Sequence, residues 1–181
     1  MASARLANET FLAAFRRSHR EEIVGLSQFL DATLRIIALR GQPLDIKGRR
    51  LDGADFDLSA LAGKVVLVQF WSTRCPPCVA EIPNIRTNYD RYHDRGFDVV
   101  GISLDDDTAA LERFVADRGI PWPIVVDSQS PGPDGRTLAD RYGVLQIPRC
   151  ILVDRDGTVI ETSAQGERLG ELLAARLRDR Q

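Results

Sequence analysis

The chain has 181 residues, 44% of them hydrophobic, and a formal net charge of −2 at pH 7. This length accommodates one domain with a full hydrophobic core and an additional segment. Charges of both signs are interspersed and aromatic residues are few, which gives no basis for nucleic-acid binding, and no apolar run approaches the ~20 residues that span a bilayer. Three cysteines are too few for a disulfide framework.

Residues 1–40 predict a helical segment, because apolar residues recur at three- and four-residue spacing. A charged stretch at residues 16–20 interrupts this stripe, so one helix or two would fit, and Gly41 and Pro43 predict its end. We favour packing of the segment on the domain, since most amphipathic helices bury their apolar stripe. A dimerisation or partner surface and the remnant of an upstream domain are the alternatives. The stripe consists of Leu6, Phe11, Leu12, Phe15, Ile23, Leu26, Leu30, Leu34 and Ile37.

Residues 41–181 predict an α/β domain, because strands alternate with helices and a hairpin follows. Short strands at residues 44–51 and 56–58 flank an Asp52-Gly53 turn. Residues 64–70 are apolar without alternation, which predicts a central strand buried on both faces. The later elements are predicted as helix 75–93, strand 97–104, helix 108–118, strand 123–127, helix 137–142, hairpin strands 149–153 and 158–162, and helix 167–178.

Residues 71–78, with the sequence WSTRCPPC, follow the central strand and begin a helix. A Cys-x-x-Cys pair at such a junction puts both sulfurs within disulfide reach. The helix dipole and the unpaired N–H groups of the first turn favour an anion at Cys75, and the thiolate is the reactive form of cysteine. Pro76 and Pro77 suit this turn, whose N–H groups have no intrahelical partner. The pattern predicts a redox-active thiol pair.

Other roles for the pair fit less well. A structural zinc site needs four ligands, and the remaining Cys150, His19 and His93 do not lie at the required spacing. A purely structural disulfide across a two-residue loop gains little closure entropy. Three consecutive carboxylates at residues 105–107 cannot all face one ion, and the aspartate before Thr108 fits a helix start. We therefore predict no metal site and no cofactor.

Two stretches resemble the thioredoxin superfamily, and more closely its TlpA/ResA-type thiol-disulfide oxidoreductases. The first is VQFWSTRCPPC at residues 68–78 with the following Glu81 and Pro83, and the second is YGVLQIP at residues 142–148 with the following ILVDRDG. The resemblance runs from about residue 44 to residue 177. It implies a thioredoxin-like fold, with a central mixed β-sheet flanked by helices and an extra N-terminal β-hairpin.

The resemblance implies a thiol-exchange mechanism at this site. Cys75 is the expected nucleophile and Cys78 the resolving thiol. Pro148 is expected to be cis and to expose the backbone of Ile147 to a substrate strand. The predicted substrate-binding residues are Trp71, Arg74, Pro76, Ile147 and Pro148.

Four further side chains bear on the predicted chemistry. Arg74 stands where thioredoxins carry tryptophan, and it either lowers the pKa of Cys75 or is a solvated surface residue. Gln69 replaces the buried aspartate of thioredoxin and removes that proton acceptor. Glu81 matches a family glutamate and is predicted to accept the Cys78 proton, with a surface ion pair as the alternative. Cys150 shares the face of Pro148 and is predicted to pack in the core.

The sequence thus favours a protein disulfide oxidoreductase that works with protein thiol substrates and a redox partner, on the reductase side. A thiol peroxidase and a metal- or haem-delivery binding module are the alternatives. The family resemblance suggests a periplasmic or cell-envelope location. Residues 1–40 lack the apolar core and cleavage site of a secretory signal, so either a targeting segment has been removed or the protein acts in the cytoplasm.

Overall fold

The computed structural model describes residues 24–177. The part of the predicted N-terminal stripe that precedes Val24 and the last predicted helical residue, Arg178, lie outside the described residues. Within the described range, no helix is both long enough and apolar enough to cross a membrane.

The described residues form seven strands and five α-helices in the predicted order. The strands are β1 (Lys47–Arg49), β2 (Asp55–Asp57), β3 (Val65–Trp71), β4 (Phe97–Ser103), β5 (Ile124–Val126), β6 (Arg149–Val153) and β7 (Val159–Glu161). The helices are α1 (residues 24–38), α2 (Pro76–Tyr92), α3 (Thr108–Asp117), α4 (Leu138–Tyr142) and α5 (Glu167–Arg176).

The main sheet has five strands in the order β5-β4-β3-β6-β7. β3 pairs parallel to β4, and β4 parallel to β5, while β6 runs antiparallel to both β3 and β7. β1 and β2 form a separate antiparallel hairpin. The predicted mixed sheet and the predicted extra hairpin are both confirmed.

Every residue of β3 and β4 is buried, as the lack of alternation predicts. One face of β3, with Leu67 and Trp71, packs against α2, α3 and α5. The other face, with Val68 and Phe70, packs against α1, α4 and the β1–β2 hairpin. Full burial of each large apolar side chain contributes about 1.5–3 kcal/mol. These two cores hold β3 at the centre of the domain. The loop that begins at Ser72 therefore starts from a fixed position.

Helix α1 packs on the domain along one side only. Ala32 and Ile36 are buried, and Arg35 Nη1 donates a hydrogen bond to the carbonyl oxygen of Asp140 at 3.2 Å. The helix therefore packs on the domain, but not through the predicted apolar stripe. The stripe residues within the described range, Leu26, Leu30, Leu34 and Ile37, are all more than half exposed, so the prediction that the stripe is buried is wrong for this part of it. The separation of residues 1–40 from a domain at residues 41–181 stays a prediction.

Gly143 tests the docking of α1. It has a φ of +70°, and a Cβ there would lie 2.6 Å from the carbonyl oxygen of Ala32. Gly53 has a φ of +81° with open space around it and is the matched control. Gly143→Ala should lower the free energy of unfolding by about 1–3 kcal/mol more than Gly53→Ala in urea denaturation, because overpacking adds to the left-handed strain that both share. Equal losses would show that α1 does not press on this position.

Candidate active site

The two thiols of the predicted pair lie where β3 leads into α2. Cys75 is the N-cap residue of α2, and its Sγ accepts a hydrogen bond from the backbone N–H of Cys78 at 3.3 Å. The two sulfurs are joined in a disulfide with an S–S distance of 2.09 Å and a Cα–Cα distance of 5.2 Å. Pro76 and Pro77 occupy the first helical turn, where no N–H group is needed.

The two sulfurs differ in their access to solvent. Cys78 is fully buried, whereas Cys75 is partly exposed and its neighbours Pro76 and Pro77 are exposed. A molecule that approaches the site therefore meets Cys75 first. The N-terminal end of α2 also favours negative charge at Cys75, which stabilises its thiolate when the disulfide opens.

The loop before β6 lies directly against this disulfide. The Ile147–Pro148 peptide bond is cis, and the carbonyl oxygen of Ile147 is 3.8 Å from Cys75 Sγ. Ile147 and Pro148 are both partly exposed. Backbone groups of an exposed loop thus stand beside the accessible sulfur, where an extended polypeptide could pair with them.

Asp105, two residues after the end of β4, fixes the loop between β3 and Cys75. It is buried, and its carboxylate accepts hydrogen bonds from Ser72 Oγ at 2.8 Å, Thr73 N at 2.9 Å, Thr73 Oγ1 at 2.7 Å and Ser103 Oγ at 2.8 Å. Burial alone would raise the pKa of this carboxyl. The hydrogen bonds from Thr73, Ser103 and Ser72 outweigh burial and lower the pKa below its ordinary value.

The sequence alone does not predict this role. It predicts a helix start at the aspartate before Thr108, and this prediction is confirmed for Asp107, whose side chain accepts from the backbone N–H of Ala110 at 3.0 Å. Asp105 instead turns toward the loop after β3. The available signal was the parallel pairing of two successive strands, because residues that follow parallel neighbours meet at the same edge of a sheet.

One predicted substrate-binding residue, Trp71, lies differently from what its assignment requires, whereas Arg74 lies at the surface. Trp71 is 1% exposed and its ring packs against Phe114, so it supports the loop from within the core and offers no surface to a substrate. That prediction is wrong for direct contact, because the last residue of β3 is buried like the rest of the strand. Arg74 is 77% exposed, and its guanidinium lies 4.0 Å from the carboxylate of Asp106.

Glu81 lies one helical turn after Cys78 and is partly buried. Its Oε1 accepts a hydrogen bond from Asn84 Nδ2 at 2.6 Å and one from the backbone N–H of Gly166 at 2.8 Å. Gly166 is the N-cap residue of α5. The carboxylate thus ties α2 to the start of α5, and it is more than a member of a surface ion pair.

Cys150 is a free, fully buried thiol in the same apolar cluster as Cys78. Burial raises the pKa of Cys150 to about 12, and the charge of Glu81 adds to this rise. Cys150 is therefore a neutral packing residue at physiological pH. Its partner in the adjacent strand, Gln69, is also buried, and so both side chains line the interior behind the disulfide.

A metal has no obvious binding place in the part of the chain that the structure describes. There, no group of three or more histidine, cysteine, aspartate or glutamate side chains could hold an ion. His19 lies outside the described residues.

The fold and the disulfide at the start of α2 define a thioredoxin-like protein. The sequence model of the Redoxin family matches residues 40–174, and the chain belongs to this family. Its sequence is 31% identical over 116 residues to the thiol-disulfide oxidoreductase ResA of Halalkalibacterium halodurans, which covers 64% of this chain and 62% of that protein. It is 30% identical over 129 residues to ResA of Bacillus thuringiensis subsp. konkukian, which covers 71% of this chain and 68% of that protein.

Solved structures give the same result. The thioredoxin domain of a thiol-disulfide oxidoreductase from Bacteroides vulgatus has a TM-score of 0.68 and 26% identity, covering 77% of this chain and 98% of that one. A thiol:disulfide interchange protein from Bacteroides sp. has a TM-score of 0.68 and 25% identity, covering 78% of this chain and 92% of that one. The predicted thioredoxin-like fold and the resemblance to ResA-type proteins are confirmed. The match spans about three fifths of the ResA protein from H. halodurans.

The lowered pKa of Asp105 makes a pH-dependent prediction. A carboxyl with a lowered folded pKa stabilises the fold above its unfolded pKa of ~3.9, and this stability is lost as the pH falls through the folded value. Asp105→Ala should lower the free energy of unfolding by about 2–4 kcal/mol at pH 7, because it strands several buried donors. In urea denaturation, the difference from the parent should shrink between pH 5 and pH 3, whereas a constant difference would contradict the assigned charge state.

Proposed function

We propose that the chain is a protein thiol-disulfide oxidoreductase. The observation that carries this proposal is the Cys75–Cys78 pair at the start of α2, with one accessible and one buried sulfur beside the Ile147 carbonyl. The similar ResA proteins are thiol-disulfide oxidoreductases, which supports this activity for the chain. A thiol peroxidase needs an unpaired peroxidatic cysteine, and here the accessible cysteine is already paired within one helical turn.

The proposed reaction begins with the reduced protein. The Cys75 thiolate attacks one sulfur of a substrate disulfide, which forms a mixed disulfide and releases the other substrate sulfur as a thiolate. Cys78 then loses its proton and attacks Cys75 Sγ. The substrate leaves with its second sulfur reduced, and the Cys75–Cys78 disulfide reforms. Two electrons have passed to the substrate, and a second protein dithiol must return them before the next cycle.

The surface around Cys75 fits a polypeptide substrate. Pro76 is exposed and offers an apolar contact, while Ile147 and Pro148 present backbone beside the sulfur. The exposed Arg74 side chain can meet a carboxylate of a substrate in place of Asp106, since an exposed pair at 4.0 Å contributes little to stability. These four residues are the proposed substrate contacts.

Glu81 is the proposed acceptor of the Cys78 proton. It lies on the same side of α2 as Cys78, one turn on, and its hydrogen bonds to Asn84 and Gly166 hold it in place. With Gln69 unable to ionise, Glu81 is the carboxylate of α2 that follows the buried thiol most closely. The protein is proposed to act as a reductase, which passes electrons from its reduced thiols to substrate disulfides, and not as an oxidase.

Trapping of the mixed disulfide tests the assigned roles of the two cysteines. Cys78→Ser should accumulate a covalent complex with a disulfide-containing protein substrate, because nothing resolves it, while Cys75→Ser should trap nothing. Cys150→Ser is the control and should behave like the parent, because Cys150 is fully buried. Non-reducing electrophoresis and mass spectrometry report the complexes. Equal trapping by the Cys75 and Cys78 variants would overturn the assignment, and metal bound stoichiometrically by the purified parent would favour a binding module instead.

Glu81→Gln tests the proton acceptor. The amide oxygen can still accept from the N–H of Gly166, so the fold should be kept while the base is lost. In stopped-flow reduction of a peptide disulfide, attack by Cys75 should proceed at the parent rate, and resolution by Cys78 should slow by about 100-fold. The matched control is Glu112→Gln on α3, an exposed glutamate outside the site. If resolution keeps the parent rate, Glu81 is not the acceptor.

A further inference from the structure

We propose that Asp105 is a positioning residue of the thiol site, which holds the loop before Cys75 and thereby sets the reactivity of that sulfur. The proposal rests on the oxidoreductase function proposed above and deepens it. Asp105 follows the end of β4 and lies outside the stretch of chain that carries the two thiols.

The hydrogen bonds of Asp105 cross from one strand end to the other. Ser103 is the last residue of β4, so its bond to Asp105 is local. The bonds from Ser72 and Thr73 are different, because these residues follow β3 and lead to Cys75. The carboxylate thus links the ends of two parallel strands at the edge where the thiols lie.

The link continues through Ser72 toward the sulfur. Ser72 Oγ donates to Asp105 and at the same time accepts a hydrogen bond from the backbone N–H of Arg74 at 3.2 Å. The carbonyl oxygen of Ser72 accepts from the backbone N–H of Cys75, also at 3.2 Å. The carboxylate therefore fixes the backbone up to the residue that carries the nucleophile.

The position of this turn determines how Cys75 meets α2. Cys75 Sγ accepts from the N–H of Cys78 at 3.3 Å, and such a bond to the first helical turn stabilises a thiolate. If the turn moves, this contact lengthens and the thiolate loses the stabilisation. The reactivity of Cys75 at neutral pH would then fall, although no group that touches the sulfur has been changed.

The surroundings of Asp105 fit a buried carboxylate that holds the loop in place, and not a solvated surface carboxylate. No ion pair within residues 24–177 includes it, so its charge is balanced by hydrogen-bond donors alone. Burying a charge is costly unless it is fully hydrogen-bonded. A carboxylate can accept from all four donors at once, which neither asparagine nor serine can do.

The test removes the loop-side donors one at a time, since Asp105→Ala removes every bond together and risks unfolding. Thr73→Val deletes the side-chain bond from the loop to Asp105. Ser72→Ala deletes its bond to Asp105 and the bond that Ser72 Oγ accepts from the backbone N–H of Arg74. Ser103→Ala is its match on the strand, because it deletes a bond to Asp105 of the same 2.8 Å length and the bond that Ser103 Oγ accepts from the backbone N–H of Asp105. Each full-length variant is reduced, and the rate of Cys75 alkylation by iodoacetamide is followed against pH by mass spectrometry. Urea denaturation of the same samples reports their stability.

Ser72→Ala and Thr73→Val should shift the alkylation profile to higher pH, so that the rate at pH 6.5 falls by about three- to tenfold, as a shift of half to one pKa unit requires. Ser103→Ala should lose a similar stability but keep the parent profile. Unchanged profiles in the two loop variants, or an equal shift in Ser103→Ala, would overturn the positioning role. If the reduced parent fails to exchange with glutathione disulfide, the proposed function itself fails, and the inference with it.

Discussion

The hydrogen bonds between Asp105 and the loop after β3 are the constraint on which the thiol site depends. β3 is buried on both faces, and its parallel partner β4 ends beside it. The buried carboxylate joins the two strand ends, and the chain enters α2 from this fixed point. Cys75 then stands at the helix N-terminus, where backbone N–H groups favour a thiolate, and the cis Ile147–Pro148 loop lies against it.

The difference in burial between the two thiols determines which sulfur a substrate can reach. Cys75 is accessible, Cys78 is buried one turn further, and Cys150 lies in the same interior cluster with a raised pKa. A substrate can therefore form a mixed disulfide with one sulfur only, while the second sulfur can reach that bond only from inside. This asymmetry arises from the cap position of Cys75 and the packing of α2 on the sheet.

The sequence predicts most of this fold because its signals are local. The unalternating run before Trp71, the WSTRCPPC stretch and the hairpin strands 149–153 and 158–162 each follow from local patterns, and all three lie as expected. What it did not predict depends on contacts between distant residues. The role of Asp105 is one example, because no residue near it in the sequence indicates that Ser72 is its partner. The burial of Trp71 is another, because its ring packs against Phe114, which lies far along the chain.

A redox titration of the Cys75–Cys78 couple tests the central claim most directly. The protein is equilibrated in dithiothreitol or glutathione buffers of stepped potential, the free thiols are alkylated, and each cysteine is quantified by mass spectrometry. Our account predicts that Cys75 and Cys78 lose their reactivity together in one two-electron transition, in which a tenfold change in the reduced-to-oxidised ratio spans about 30 mV, while Cys150 reacts only after unfolding. If both cysteines stay alkylatable at every potential, or lose reactivity in separate steps, the site is not a thiol-disulfide exchange centre.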